Sequence, residues 1–306
     1  MKIGNVTLKS NALFAPVAGF SDVALRSLCY KYGAGLCYTE MVSAKGLLYK
    51  NKNTAFLLAT LPSEQPKAVQ LFGNDPEVFY KVAKSEEIAP FDVIDINMGC
   101  PVPKIVSNGE GSALMENPPL IEEIVRATKE SGKAVSCKFR IGFNSPSVIE
   151  CALSAEKGGA DMITVHGRLR SDYYAGEANH FYCKQVKEAV SVPVVANGDI
   201  RTREDYLNVL NYTGADGVMI ARGALGRPFV FSEILGIPFS VNIKSDVLKQ
   251  IAVAKQYYPE SVLVNIMKKH LCYWAKSARL PKKTNLVFTS LKNYDEMTEA
   301  VEKYFS

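Results

Sequence analysis

Apolar and polar positions along the chain alternate in a repeating two-part pattern. Short apolar, β-branched runs recur eight times, at Leu13–Val17, Leu36–Thr39, Ala68–Phe72, Val93–Asn97, Ala134–Arg140, Met162–His166, Pro193–Ala196 and Gly217–Ile220. Between them lie helix-compatible stretches such as Ser21–Tyr32, Asp75–Glu87, Pro118–Ser131, Val148–Lys157 and Tyr182–Val190. Continuously apolar strands separated by crossover helices form a parallel sheet covered on its outer face. Eight such units in about 225 residues therefore predict an α/β fold closed into a (β/α)8 TIM barrel. The competing arrangement is a doubly wound open sheet. Its fingerprint G-x-G-x-x-G is absent after the first strand, which runs instead into Ala15-Pro16-Val17-Ala18-Gly19. Residues Ile3–Leu8 are expected to add a small strand at the barrel floor.

Beyond Leu235-Gly236-Ile237-Pro238 the alternation stops and helices alone are predicted. They cover Ser245–Tyr258, Ser261–Ala278 and roughly Leu286–Tyr304, with Pro259 and Pro281 as breaks. The expected division is a barrel over residues 1–238 followed by a small all-helical domain over 239–306.

Charge sharpens this division. Residues 1–240 hold 25 Lys and Arg against 25 Asp and Glu, whereas 241–306 hold 11 against 6, so the whole net charge of +5 sits in the helical tail. Clustered cations on one part of a neutral molecule are the footprint of a polyanion partner, although a solvated helix face gives the same count. Hydrophobic content of 47% is ample for a core. No stretch of about 18 apolar residues occurs, and MKIGNVTLKS has neither signal-peptide nor transit-peptide character, so a cytoplasmic protein without membrane contact is expected. Seven scattered cysteines without a C-x-x-C pair predict neither disulfides nor a zinc knuckle, and His166, His180 and His270 have no ligand spacing, so no metal is expected.

Active sites of such barrels lie at the C-terminal ends of the strands. The polar residues there are Gln70 in the third run, Asn97 followed by Met98-Gly99-Cys100-Pro101 after the fourth, Lys138 and Arg140 in the fifth, His166 in the sixth, Asn197-Gly198-Asp199 after the seventh and Arg222-Gly223 after the eighth. Glycines after strands seven and eight allow backbone N–H groups to approach a phosphate, or are plain turn residues. Lys138 in a nearly apolar strand needs an anion or polar ligand, unless it faces outward. Cys100 occupies a rigid turn at the mouth and is a better candidate for chemistry than the other thiols. His166 can equally be a core histidine, Gln70 and Asn97 can be strand caps, and Tyr173 and Tyr174 can contact a ligand or pack their loop.

These residues resemble a known family. Ala15-Pro16-Val17-Ala18-Gly19, Thr39-Glu40-Met41-Val42, Val69-Gln70-Leu71-Phe72-Gly73, Asp95-Ile96-Asn97-Met98-Gly99-Cys100-Pro101, Val165-His166-Gly167-Arg168, Asn197-Gly198-Asp199-Ile200 and Arg222–Pro228 are similar, in order and spacing, to the tRNA-dihydrouridine synthases, most closely the bacterial B-type branch. The resemblance spans residues 1–235. The sequence departs from it modestly, with Val17 where the family often has Met and Phe139 where it has a smaller aliphatic residue. The resemblance implies an FMN-binding barrel followed by a helical tRNA-binding domain. It assigns Pro16, Val17, Ala18 and Gln70 to the flavin ring, Lys138 to the flavin, and His166, Asn197, Gly198, Asp199, Ala221 and Arg222 to its ribityl-phosphate end. It makes Cys100 the proton donor.

The implied reaction reduces the C5–C6 bond of a uridine. NADPH or NADH is the expected reductant, and Asn97 is expected to hold the base. A thiol of ordinary pKa, about 8.5, keeps its proton near neutrality and can act as an acid. Lys268, Lys269, Lys276, Arg279, Lys282 and Lys283 are expected to grip tRNA phosphates, and the protein is expected to be a monomer. Two rivals are a flavin barrel acting on free pyrimidines, which would turn over uridine itself, and an RNA-binding protein without catalysis, which would not carry FMN.

Overall fold

The computed structural model describes residues 1–305, the side chains of Lys52, Asn53 and Ala55 excepted. Eight parallel strands, β1 (Ala12–Phe14), β2 (Leu36–Ser43), β3 (Lys67–Phe72), β4 (Val93–Met98), β5 (Ala134–Gly142), β6 (Met162–Leu169), β7 (Val194–Asn197) and β8 (Gly217–Ile220), pair in sequence order. Pairing of Val218, Met219 and Ile220 with Ala12, Leu13 and Phe14 closes the barrel. The connecting helices include Val23–Lys31, Pro76–Ala83, Pro118–Lys129, Val148–Lys157, Phe181–Ala189 and Arg203–Thr213.

The apolar runs contain a hidden period of two, because barrel strands are buried on both faces but point alternate side chains inward. Ile94, Ile96, Val135, Cys137, Ile163, Val165, Val194 and Ala196 face out and join the core beneath the helices. Leu13, Leu36, Ala68, Val93, Ala134, Met162, Val195 and Met219 face in and form an apolar plug with Ile3 and Leu8. One layer nearer the mouth the inward set turns polar, with Gln70, Asp95, Ser136 and Thr164 all fully buried. Asn97, Lys138, His166 and Asn197 follow. Lys138 thus faces inward.

The floor differs from expectation. Residues Lys2–Ile3 and Val6–Thr7 form a two-stranded antiparallel hairpin, turned at Gly4, rather than one strand. The last helical stretch also differs. It breaks into Thr284–Ser290 and Tyr294–Tyr304, because Asn293 accepts the N–H of Glu296 at 2.9 Å and starts a new helix.

The C-terminal helices Ile243–Tyr257, Glu260–Ser277, Thr284–Ser290 and Tyr294–Tyr304 build a second core. Val247, Ile251, Leu271 and Trp274 close there on Val23, Ala24 and Leu28 of the first barrel helix. Burying each such aliphatic side chain contributes about 1.5–3 kcal/mol. Polar ties fix the angle of docking. Buried Asp246 accepts from Lys31 Nζ at 2.6 Å and from the Tyr32 hydroxyl at 2.5 Å, and His270 Nε2 lies 2.6 Å from Asp22 Oδ2. Gly226, at φ +64°, brings the loop after β8 against the Glu260–Ser277 helix. A Cβ there would lie 2.4 Å from the Tyr273 carbonyl. This contact seats the helix over the barrel mouth.

Candidate active site

A cavity of about 440 Å³ opens at the C-terminal ends of the strands. Its wall contains Pro16, Val17, Ala18, Asn97, Cys100, Lys138, His166, Asn197, Gly198, Asp199, Ala221 and Arg222, drawn from separate strand ends around the barrel. Gln70 is not on the wall. It is fully buried behind Asn97, donating from Nε2 to Asp95 Oδ2 at 2.6 Å and accepting from Asn97 Nδ2 at 2.8 Å.

The loop after β1 is held from several sides. Phe20 and Ser21 donate backbone N–H bonds to the Val17 carbonyl, Glu40 accepts from the Gly19 N–H, and Arg26 donates to the Ser21 carbonyl at 2.7 Å. Arg26 is itself buried against Glu64 at 3.0 Å. These bonds give the Pro16–Ala18 wall a fixed course.

Cys100 sits on a pinned turn. Asn97 Oδ1 accepts the N–H of Cys100 at 2.9 Å and of Gly99 at 3.2 Å, and the Cys100 carbonyl accepts from Ser112 Oγ at 2.8 Å. The Asn97 carboxamide is thus fully engaged with protein, its N–H group reaching Gln70 and the Met41 sulfur. Burial pushes the Cys100 thiol up, so it holds its proton at neutral pH. Of the other cysteines only Cys272 is even partly accessible.

The cavity is electropositive. Lys138, Arg140, Arg201 and Arg222 line it against a single acid, Asp199. Burial, reinforced by Arg140, pushes Lys138 down to about 8. Burial and the charges of Lys138, Arg140, Arg168 and Arg222 hold His166 far below its ordinary value, so its imidazole is neutral. Burial alone would raise Asp199, but bonds from Arg168 at 2.6 Å and the Ala178 N–H at 2.9 Å outweigh it and hold the carboxylate ionised. Asp199 also holds Arg222 at 3.2 Å, so it aims a cation into the cavity rather than repelling an anion from it. Gly198, at φ +128°, has no room for a side chain, since a Cβ would lie 2.5 Å from that of Ala178.

Arg168 and Tyr273 hold this site without a role in the sequence pattern, and Arg140 and Tyr174 take parts that the pattern left open. Buried Arg168 ties β6 to the loop after β7, and Arg140 donates to the carbonyls of Gly99, Leu169 and Tyr173 at 2.8 Å each. The Tyr174 ring lies 5.7 Å from the Arg140 guanidinium and 5.5 Å from that of Arg222, over the mouth. Inward spacing at 164, 166 and 168 could have flagged Arg168. Tyr273, which reaches the cavity from the Glu260–Ser277 helix, follows only from docking.

The six cations expected to grip tRNA do not form one set. Lys269 shares a helix face with Tyr273 and Lys276, at i, i+4 and i+7, and its Nζ lies 5.2 Å from the Phe20 ring centre at the cavity rim. Lys276, Arg279, Lys282 and Lys283 are exposed or half-exposed, and Lys268 is half-buried. None of these five forms an ion pair among the described residues.

The dihydrouridine synthase (Dus) family model matches residues 13–304. The chain belongs to the dihydrouridine synthase family. Among relatives, tRNA-dihydrouridine synthase B of Vibrio cholerae is 35% identical, covering 100% of this chain and 98% of the relative. The enzyme of that name from Pseudomonas putida is 33% identical over 100% and 94%. Among solved structures, histamine dehydrogenase from Rhizobium superposes with a TM-score of 0.55 at 16% identity, over 82% of this chain and 50% of that one, a likeness of fold alone. The family match runs through the barrel and the C-terminal helices together. No helix among the described residues is long and apolar enough to cross a membrane, and no cluster of potential metal ligands occurs among them.

Proposed function

We propose that this protein reduces the C5–C6 bond of particular uridines in tRNA, with FMN held in the barrel mouth over residues 1–238 and tRNA gripped by the helices of 239–306. The carrying observation is a cysteine fixed on a pinned turn in the wall of an electropositive cavity, in a chain of this family.

The residues fit FMN. A volume of about 440 Å³ falls within the range of about 300–1,000 Å³ usual for cofactor sites. Four cations against one already paired acid suit a phosphate-bearing group, and the backbone at Gly198 and Gly223 lies open to it after β7 and β8. Lys138 would hold the ring end, where a cation favours negative charge. His166, Asn197, Gly198, Asp199, Ala221 and Arg222 would surround the phosphate end. When bound there, FMN reduced by NADPH or NADH would supply the hydride for C6 of the uracil.

Cys100 supplies the proton. Its Sγ keeps the hydrogen until carbanion character develops at C5, and the raised thiol pKa favours that form before the reaction. Asn97 holds the turn that aims Cys100 and also lines the cavity, where it would meet the base. A base flipped out of folded RNA costs a few kcal/mol in lost stacking. Lys276, Arg279, Lys282 and Lys283 would offset it through phosphate contacts.

The test is dihydrouridine formation in unmodified tRNA incubated with purified protein, FMN and NADPH, beside the same assay on free uridine. Product in tRNA alone supports the proposal. Turnover of free uridine at a comparable kcat/KM would replace it with the free-pyrimidine reaction, and protein unable to bind FMN would remove both.

A further inference from the structure

The inward polar layer of the barrel contains a buried carboxylate with no part in the reaction described above. Asp95 lies on β4 in register with Gln70 on β3 and Ser136 on β5. All three are fully buried. Ser136 Oγ donates to Asp95 Oδ1 at 2.5 Å, and Gln70 Nε2 donates to Asp95 Oδ2 at 2.6 Å. A second carboxamide continues the chain, with Asn97 Nδ2 donating to Gln70 Oε1 at 2.8 Å and Asn97 Oδ1 accepting from Cys100 N at 2.9 Å. One unbroken line of hydrogen bonds therefore runs from a carboxylate inside the barrel to the backbone of the reacting cysteine.

The line has a direction, and chemistry at one end sets it. A carboxamide can be turned end for end at little steric cost, exchanging a donor for an acceptor. An ionised carboxylate can only accept. Burial raises Asp95 to about 6 while bonds from Gln70 and Ser136 and the charge of Lys138 oppose the rise, and both its oxygens accept here, Oδ1 from Ser136 and Oδ2 from Gln70. With an acceptor fixed at Asp95, Gln70 must present its nitrogen there and its oxygen to Asn97. Asn97 must then present its nitrogen to Gln70 and its oxygen to the Gly99 and Cys100 amides. Were either amide reversed, two acceptors or two donors would face each other in a buried site, at a cost of the full desolvation of each.

We infer that Asp95 is a positioning residue for Cys100, setting through Gln70 and Asn97 the polarity of the hydrogen bonds that hold the thiol-bearing turn. The inference rests on the reading of Cys100 as proton donor. Asp95 does not line the cavity; it acts on the turn through the orientation of two amides, and its charge also reaches Lys138.

The experiment compares full-length wild type with Asp95→Leu, Gln70→Glu and the double variant Asp95→Asn with Gln70→Glu. Two readouts are taken: the rate at which iodoacetamide alkylates Cys100, followed by mass spectrometry, and kcat and KM for tRNA. Asp95→Leu removes the fixed acceptor, and Gln70→Glu opposes two carboxyl groups that share one proton until rising pH removes it. Asp95→Leu releases the turn near neutral pH and Gln70→Glu as that shared proton is lost, each raising Cys100 alkylation about threefold or more relative to wild type at the same pH as the thiol regains solvent. Both also lower kcat about tenfold or more, the scale on which small misplacements act, with KM little changed. In the double variant the carboxamide now at position 95 donates to the carboxylate now at position 70. The other oxygen of that carboxylate still accepts from Asn97, so alkylation returns towards the wild-type rate.

Recovery in the double variant is the decisive sign, because two independent injuries to packing would add. Unchanged alkylation in both single variants, or a double variant further from wild type than either, overturns the inference. If Asp95→Leu does not fold, the comparison of Gln70→Glu with the double variant decides alone. Wild-type protein that forms no dihydrouridine would sink the proposed function through the kinetic readout, while the alkylation readout still reports on the relay.

Discussion

The lysine inside the barrel and the lysines on the C-terminal helices carry the same charge in opposite surroundings. Lys138 stands in a cavity where burial has pushed it down to about 8 and where other cations crowd it. Lys276, Lys282 and Lys283 stand in water without ion-pair partners among the described residues. The first charge is costly to keep and acts at short range in a low dielectric, so it suits a fixed ligand and an electronic task. The others cost little and act through counterion release, so they suit a long polyanion whose grip depends on salt. Placement decides which kind of work a lysine does.

Substitutions in the two regions should therefore fail differently. The largest effect is expected for Cys100→Ala, which removes the proposed acid at the cavity. Dihydrouridine formation at saturating tRNA should fall by about 10²–10⁴, the range for a positioned acid, while absorbance at the flavin band stays at the wild-type level. Next is Lys138→Met, which should weaken FMN binding about 10–100-fold, as removal of a charge-assisted hydrogen bond does. Its pH dependence sharpens the contrast. An anionic ligand favours protonated Lys138, so affinity in wild-type protein should be full below about 8 and decline above it, a decline that titration by fluorescence would find absent in the variant.

The junction between the regions comes third. Gly226→Ala forces a side chain into left-handed backbone, worth about 1–2 kcal/mol, and against the Tyr273 carbonyl. Tm should drop, and limited proteolysis should show the Glu260–Ser277 helix loosened before the barrel. The smallest effect per residue belongs to the exposed cations. Replacing Lys276, Lys282 and Lys283 with Gln should raise KM for tRNA and reduce the slope of log KM against log salt by about 0.7–0.9 for each phosphate that is no longer neutralised.

The two regions also differ in how far they could be read from the sequence. All eight barrel strands were legible, because parallel strands buried on both faces appear as unbroken apolar runs. Their mouth-side ends identified the wall from Pro16 to Arg222, since barrel geometry brings those ends together wherever they lie in the chain. The partners behind the wall were less legible. Gln70 looked like a wall residue and lies behind it, and Asn97, which does reach the wall, also carries bonds to Gly99, Cys100, Gln70 and Met41 that the sequence pattern does not contain. Which of two polar neighbours engages another depends on register across strands, which one chain's periodicity does not contain. Tyr273 was invisible for a different reason: its place depends on a backbone contact at Gly226, 47 residues away. The break at Asn293 was missed because an asparagine inside a helical pattern becomes a cap only when the preceding turn departs from the helix.

The division of labour is tested most directly by measuring kcat and KM for tRNA as a function of salt in two variants, Cys100→Ala and the triple Lys276→Gln, Lys282→Gln, Lys283→Gln. Cys100→Ala is expected to lose kcat with its salt slope unchanged, whereas the triple variant keeps kcat, raises KM and flattens the slope. A triple variant that loses kcat with an unaltered slope, or a Cys100→Ala variant that keeps kcat, would contradict it.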